Sequence, residues 1–292
     1  MQARRLRIVS LAVICAIPLF ACSKKPETPT NPSPTDPIVY TALGASDAIG
    51  YGSTVPCVPF TDCPAGRGYV YLLRTRLEGS GKTVTFNNRG IPGAVLSPAI
   101  QTLARQIGRD DIIANLIDQE APFVPSGTTH LTVFAGGNDA NAIGQAVRAG
   151  QGGNDVRGFI DRQVQQWGSD YRDMIARLRA RVPNARLVAL NLPNLAGMPY
   201  VANNTIEERG VLQRIAVGLT DRVNVLAGQN VLVVDLMCDP RVYSTANLSG
   251  DGFHPSDSGY QVMADLAYPV LANGTATAPA SSCAQRTLVP VF

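Results

Sequence analysis

Apolar residues along this chain fall into short continuous runs separated by longer stretches with helical periodicity. The runs at 38–43 (IVYTAL), 130–135 (HLTVFA), 186–192 (RLVALNL) and 230–236 (NVLVVDL) are largely apolar on consecutive positions. A strand buried on both faces of a sheet reads that way, because both of its alternating sets of side chains meet apolar neighbours. TVTFNN at 83–88 alternates instead and is the weakest of the five predicted strands. Between the runs, apolar positions recur every three or four residues. The clearest case is 155–181, where Phe159, Ile160, Val164, Trp167 and Tyr171 belong to one stripe. The only tryptophan therefore reads as a core or helix–sheet contact. Further helices are predicted over 67–78, 99–119 (with a break), 205–226 and 258–271.

Strand–helix alternation predicts an open, mostly parallel five-stranded sheet covered by helices on both faces, a three-layer α/β/α sandwich. Ligands of such sheets gather at the carboxyl ends of the strands. Residues that directly follow a predicted strand are thus the first place to look for chemistry.

The amino terminus has a different pattern. MQARRLR is basic and residues 8–21 are almost wholly apolar, the n-region and h-region of an export signal. The apolar run is short for a bilayer span. It ends at Leu19-Phe20-Ala21-Cys22, which resembles a bacterial lipoprotein signal. That resemblance implies cleavage before Cys22, lipidation of Cys22, and a protein held at the outer membrane, facing the periplasm or the surface. An unlipidated, secreted form is the alternative. Residues 22–37 carry prolines and no apolar run, and read as an anchored, extended tether. The folded domain is expected over 38–272, followed by a tail at 273–292.

The charge count changes meaning once the signal is set aside. The chain has 25 basic and 22 acidic residues, but Arg4, Arg5 and Arg7 lie in the export signal and no acid precedes Glu27. The remainder is balanced, without the basic excess that nucleic-acid binding needs. Hydrophobic residues at 45% and charged residues at 16% of 292 exclude an extended disordered chain and favour one large core. Export also permits disulfides. Of the three pairings open to the four remaining cysteines, Cys57–Cys63 would staple a Pro-rich loop and Cys238–Cys283 would pin the tail. The spacing lacks a C-x-x-C pair, so a metal site is the weaker reading.

Candidate chemistry follows the strands. Ser46, after the first, lies in Gly44-Ala45-Ser46-Asp47. A serine in a sharp strand-to-helix turn can attack a carbonyl if a base takes its proton. The chain has two histidines. His130 opens a strand and reads as structural. His254 lies in Gly250-Asp251-Gly252-Phe253-His254-Pro255, three residues after Asp251. That spacing lets the carboxylate accept the imidazole Nδ1–H and leaves Nε2 for the serine. Donors for an oxyanion would be the backbone N–H groups of Ser46 and Gly90 and the side-chain amide of Asn138. Gly and Asn also simply make turns.

Taken in order, these blocks resemble the SGNH hydrolases, also called GDSL esterases and lipases. Ser46 matches the nucleophile block, Asn88-Arg89-Gly90-Ile91-Pro92-Gly93 the second, Gly136-Gly137-Asn138-Asp139 the third, and Asp251 with His254 the last. The resemblance spans about 38–271. It implies a flavodoxin-like fold and a carboxylic-ester hydrolase with a Ser46–His254–Asp251 triad, an acyl-serine intermediate and no cofactor. Substrates would be small acyl or lipid esters, or acetylated polysaccharides. One position departs: Ala45 stands where the family carries Asp, and Asp47 either supplies a compensating hydrogen bond or marks a divergent subgroup. No G-x-S-x-G motif surrounds Ser46, which disfavours an α/β-hydrolase lipase. A non-catalytic envelope binding protein is the remaining alternative, with Tyr51, Tyr69, Tyr71, Tyr200 and Tyr243 as candidate groove residues.

Overall fold

Five strands form the centre of the computed structural model, which describes residues 37–290. They are β1 (Ile38–Gly44), β2 (Val84–Asn88), β3 (His130–Phe134), β4 (Arg186–Leu190) and β5 (Leu232–Val234). All neighbours run parallel in the order β2-β1-β3-β4-β5. The three central strands are apolar on consecutive positions and buried on both faces. β2 lies at one edge and is only half-buried, which explains its alternating sequence. In register, Tyr40 faces His130 and Gly44 faces Phe134, so β1 and β3 end together.

The helices are α1 (Tyr69–Gly79), α2 (Pro98–Gln106), α3 (Leu116–Gln119), α4 (Gly137–Arg148), α5 (Val156–Arg181), α6 (Ile206–Asn224) and α7 (Asp257–Asn273). α1 and α7 pack together, as do α4, α5 and α6, and the two groups cover both sides of the sheet. The stripe of α5 is buried as its period requires, and Trp167 stacks on Tyr171 with ring centroids 4.9 Å apart.

The 99–119 segment breaks as expected: α2 ends at Gln106, Gly108 takes a left-handed φ of 78°, and Asn115 caps α3, accepting the Asp118 N–H at 2.9 Å. Two elements differ from the sequence expectation. No helix is expected between β3 and α5, yet α4 forms there with its alanines facing the core. β5 stops at Val234 because the Asn191 side chain replaces the ladder, its Oδ1 accepting the N–H groups of Leu236 and Met237 at 2.7 and 2.9 Å.

Cys57 is bonded to Cys63 and Cys238 to Cys283, with Cα separations of 6.0 and 5.8 Å. The tail beyond α7 packs down, because Gln213 exchanges two hydrogen bonds with the backbone of Val289. The signal, Cys22 and the tether lie outside the described residues. Among the described residues no helix is long and apolar enough to cross a membrane.

Candidate active site

The first strand delivers Ser46 at the carboxyl edge of the sheet. β1 ends at Gly44, and Ser46 opens a single 3₁₀ turn, Ser46–Ile49. The loop after β2 runs alongside: Ile91 N–H donates to Gly44 C=O at 3.1 Å. Gly90 has to be glycine here, since a Cβ would stand 2.5 Å from Cβ of Ala48 in the nucleophile turn.

The last loop brings His254. Its ends are pinned by an antiparallel bridge between Leu248 and Pro255. Inside it, Asp251 Oδ1 accepts the N–H groups of Phe253 and His254 at 2.8 and 2.9 Å and the Ser249 hydroxyl at 2.8 Å. Gly252 takes a left-handed φ of 70°, and its C=O accepts the Tyr200 N–H. A side chain there would collide with Pro199 and Tyr200. The rings of Tyr51 and Phe253 stand 4.7 and 4.8 Å from the His254 ring and confine it.

The result is a continuous chain of contacts. Ser46 Oγ lies 2.9 Å from His254 Nε2, and His254 Nδ1 lies 2.6 Å from Asp251 Oδ2. Partial burial alone would raise the Asp251 pKa. The bonds from His254, Phe253, the His254 N–H and Ser249 outweigh it and bring the value to about 2. Asp251 is thus a carboxylate at neutral pH and can only accept, so Nδ1 carries the proton and Nε2 offers its lone pair to the serine hydroxyl.

Beside Ser46 is a cavity of about 10 Å³ lined in part by Ala45, Asp47, Ala94, Gly137 and Asn138. It has room for about one water-sized group. Asn138, in the first turn of α4, donates one N–H of its amide to Ala94 C=O at 2.9 Å, and an amide has a second to offer. Gly90 stands apart from this arrangement. Its N–H donates to Asn88 Oδ1 at 3.0 Å, and it does not line the cavity. The side chain of an Asn captures the N–H two residues on in an Asx turn, a competitor that the N-x-G pattern already contained.

The other candidates divide by burial. His130 is buried at the opposite edge, with Nδ1 2.9 Å from the Thr129 hydroxyl. Tyr69 and Tyr71 are core residues, so the five tyrosines form no shared groove: their place in α1 turns them onto the sheet. Tyr243 points its hydroxyl at Met237 C=O. Tyr51 and Tyr200 do flank the site, Tyr200 with its ring 4.8 Å from Phe253. Asp47 makes no compensating side-chain hydrogen bond to another residue. It lines the nucleophile cavity instead, where burial raises its pKa and nearby His254 opposes the rise.

Two features were not foreseen. Asp139 is fully buried, and its Oδ1 accepts the Leu96 N–H at 2.8 Å and the Trp167 indole N–H at 3.0 Å. Trp167, in the apolar stripe of α5, therefore braces the first turn of α4, which carries Asn138. The second feature is a cavity of about 50 Å³ lined largely by apolar side chains, among them Leu192, Leu195, Met198, Leu236 and Met263. It shares Asp47, Phe134, Gly137 and Phe253 with the nucleophile cavity, so the two are adjoining compartments. Its walls come from five separate chain segments, and no local motif announces it.

Residues 42–262 match the profile of the GDSL-like lipase/acylhydrolase family. No curated protein matches the chain. Among solved structures, an extracellular lipase from Streptomyces rimosus is similar at 20% identity with a TM-score of 0.52, over 82% of this chain and 100% of that one. A lipase from a goat rumen metagenome is similar at 18% identity and TM-score 0.52, over 78% and 94%. An acetyl-xylooligosaccharide esterase from Geobacillus, crystallised as a mutant, is similar at 15% identity and TM-score 0.52, over 83% and 98%. At these identities the structures establish a common fold.

Proposed function

Because the chain belongs to the GDSL-like lipase/acylhydrolase family and is a carboxylic-ester hydrolase, we propose that Ser46, His254 and Asp251 are its catalytic triad. The observation that carries this reading is the contact chain Ser46 Oγ–His254 Nε2–His254 Nδ1–Asp251 Oδ2, at 2.9 and 2.6 Å. His254 Nε2 takes the hydroxyl proton as Ser46 Oγ attacks the ester carbonyl. Asp251 holds the imidazole in the required tautomer and stabilises its protonated form. The carbonyl oxygen enters the small cavity, where the Ser46 N–H and the Asn138 amide stabilise its negative charge. Gly90 joins them when its N–H turns away from Asn88. His254 then protonates the departing alcohol, and water activated by the same imidazole releases the acid from the acyl-serine.

The adjoining apolar cavity supports a short acyl group. Its 50 Å³ accommodates roughly three to four water-sized groups, the length of an acetyl to butyryl chain. Short simple esters and acetylated sugars both fit this limit. A lipid on Cys22 would hold the enzyme at the cell envelope, within reach of such polymers. Loss of fatty-acid labelling in Cys22→Ser would support that anchor, and unchanged labelling would refute it.

The central test compares nitrophenyl acetate, butyrate, octanoate and palmitate with acetylated xylo-oligosaccharide, using the parent and Ser46→Ala. Ser46→Ala is expected to lose at least about 10⁴-fold in kcat/KM. Equal rates for the two proteins would end the serine reading. Octanoate turning over faster than acetate would end the short-acyl reading and leave the triad standing.

A further inference from the structure

Glu120 is fully buried, and the proposed chemistry does not use it. It sits where α3 passes into the 3₁₀ turn Ala121–Phe123. Its Oε2 accepts the N–H of Gly44 at 2.8 Å, and the Ile91 N–H, which donates to Gly44 C=O, lies close enough to favour the charged carboxyl. Its Oε1 meets no partner among the described residues. Removal from solvent pushes its pKa well above the ordinary carboxylate range, against the two N–H groups that pull it down.

Both partners belong to the backbone that builds the site. Gly44 is the last residue of β1 and lies two positions before Ser46. Ile91 directly follows Gly90 and donates to Gly44 C=O at 3.1 Å. The carboxyl therefore closes the junction between the strand that presents the nucleophile and the loop that packs against the nucleophile turn. An apolar side chain in its place would leave the Gly44 N–H buried and unsatisfied.

Backbone bonds and the Asn88 amide, which donates to Ala48 C=O at 2.6 Å, hold the turn itself, but neither side chain flanking Ser46 holds the strand end. Ala45 carries no polar group, and Asp47 faces the cavities. The polar side chain that does hold the strand end comes from 76 residues further along the chain.

We propose that Glu120 is a positioning residue of this esterase: by holding Gly44 and Ile91 together it sets where Ser46 stands relative to His254 and Asn138. This rests on Ser46 being the nucleophile. A neutral carboxyl and a carboxamide present the same acceptor oxygen at the same reach, whereas an aspartate is one methylene short and a methionine has the length without the oxygen.

The experiment compares Glu120→Gln, Glu120→Asp, Glu120→Met and Ser46→Ala with the parent, all as the full chain. It measures kcat and KM on nitrophenyl acetate, the rate of Ser46 labelling by a fluorophosphonate, and near-UV circular dichroism as the check on folding. Glu120→Gln is expected to keep kcat within about threefold of the parent. Folded Glu120→Asp or Glu120→Met should lose roughly 10–100-fold in kcat with KM within about twofold, as expected of a nucleophile misplaced by a fraction of an ångström. Labelling should slow by the same factor as kcat. Parental kcat in either folded variant overturns the proposal, and so does Glu120→Gln being as impaired as they are. If neither Asp nor Met variant folds while Gln is fully active, Glu120 serves the scaffold alone and the proposal also fails. A Ser46→Ala protein with parental activity would instead remove the underlying reading. Inactive Ser46→Ala beside fully active Glu120 variants would remove only this inference.

Discussion

The two histidines of this chain stand at opposite edges of one sheet, and their neighbours give them opposite properties. His130 opens β3 at the amino edge, beneath α7, whose last turns cap the guanidinium of Arg186 through the carbonyls of Leu271 and Ala272. Burial is the main force lowering its pKa to about 4, and the positive charges of Arg186 and Lys82 add to it. His254 hangs in a loop beyond the carboxyl ends of the strands, with a carboxylate 2.6 Å from one ring nitrogen and a hydroxyl 2.9 Å from the other. One imidazole is held neutral and inert. The other has an anion ready to meet a proton when it arrives. Residue type is shared, so the difference in chemistry comes from what the fold packs around each ring.

The strongest way to break this contrast is to exchange the roles by deletion. His254→Ala is expected to lower kcat/KM at least about 10⁴-fold on nitrophenyl acetate, while His130→Gln stays within about threefold of the parent. Comparable losses in both would mean that the amino edge takes part in catalysis. Next in size is the carboxylate itself. Asp251→Asn keeps the shape but favours the wrong tautomer, and a loss of roughly 10³–10⁴-fold in kcat is expected in steady-state assays. A loss under tenfold would reduce Asp251 to a loop-organising role.

Stability against acid should sharpen the contrast from the other side. The folded-state pKa of His130 lies near 4, below the ordinary 6.5, so the unfolded chain takes up that proton first. Its stabilising contribution is complete above pH 6.5 and is lost as pH falls toward 4, by up to roughly 3 kcal/mol. Asp139 acts in the reverse sense. Burial raises its pKa to about 6 from 3.8, so the folded state binds its proton first and gains stability as pH falls through that window. Urea unfolding between pH 7 and 4.5 should therefore show a shallower acid loss in His130→Gln and a steeper one in Asp139→Asn. Parallel curves for all three proteins would show that neither buried group controls the acid limb. The smallest expected effect is on the His130 ring alone. In Arg186→Gln its pKa, read by NMR, should rise by less than about one unit, because burial is the larger cause and remains.

Much of this site could be read from the chain because its parts are local. Asp251 reaches His254 across three residues, and its other acceptor contacts fall within the same loop. Ser46 and Asn138 each follow a buried strand directly, so a parallel sheet brings them to one edge without further instruction. The readings that changed depended on competition between groups. Gly90 could be placed beside the nucleophile turn, but not the preference of its N–H for Asn88. Tyr69 and Tyr71 read as either surface or core until α1 was set against the sheet. α4 was not among the expected helices, and its N-terminal turn is held in place by Asp139 bonding to Leu96 and Trp167.

By itself the sequence determined the parallel α/β sandwich and the three-residue reach from Asp251 to His254, while the choice among three disulfide pairings waited for the fold. The first two follow from periodicity or spacing over a short stretch of chain. Tertiary structure alone decided that Glu120, rather than Asp47, accepts the N–H at the strand end before Ser46, and that a largely apolar cavity adjoins the one beside Ser46. Both depend on side chains distant in sequence whose separation is set only by packing. A buried polar group takes whatever partner the finished fold brings within reach, and a cavity is the space that packing leaves.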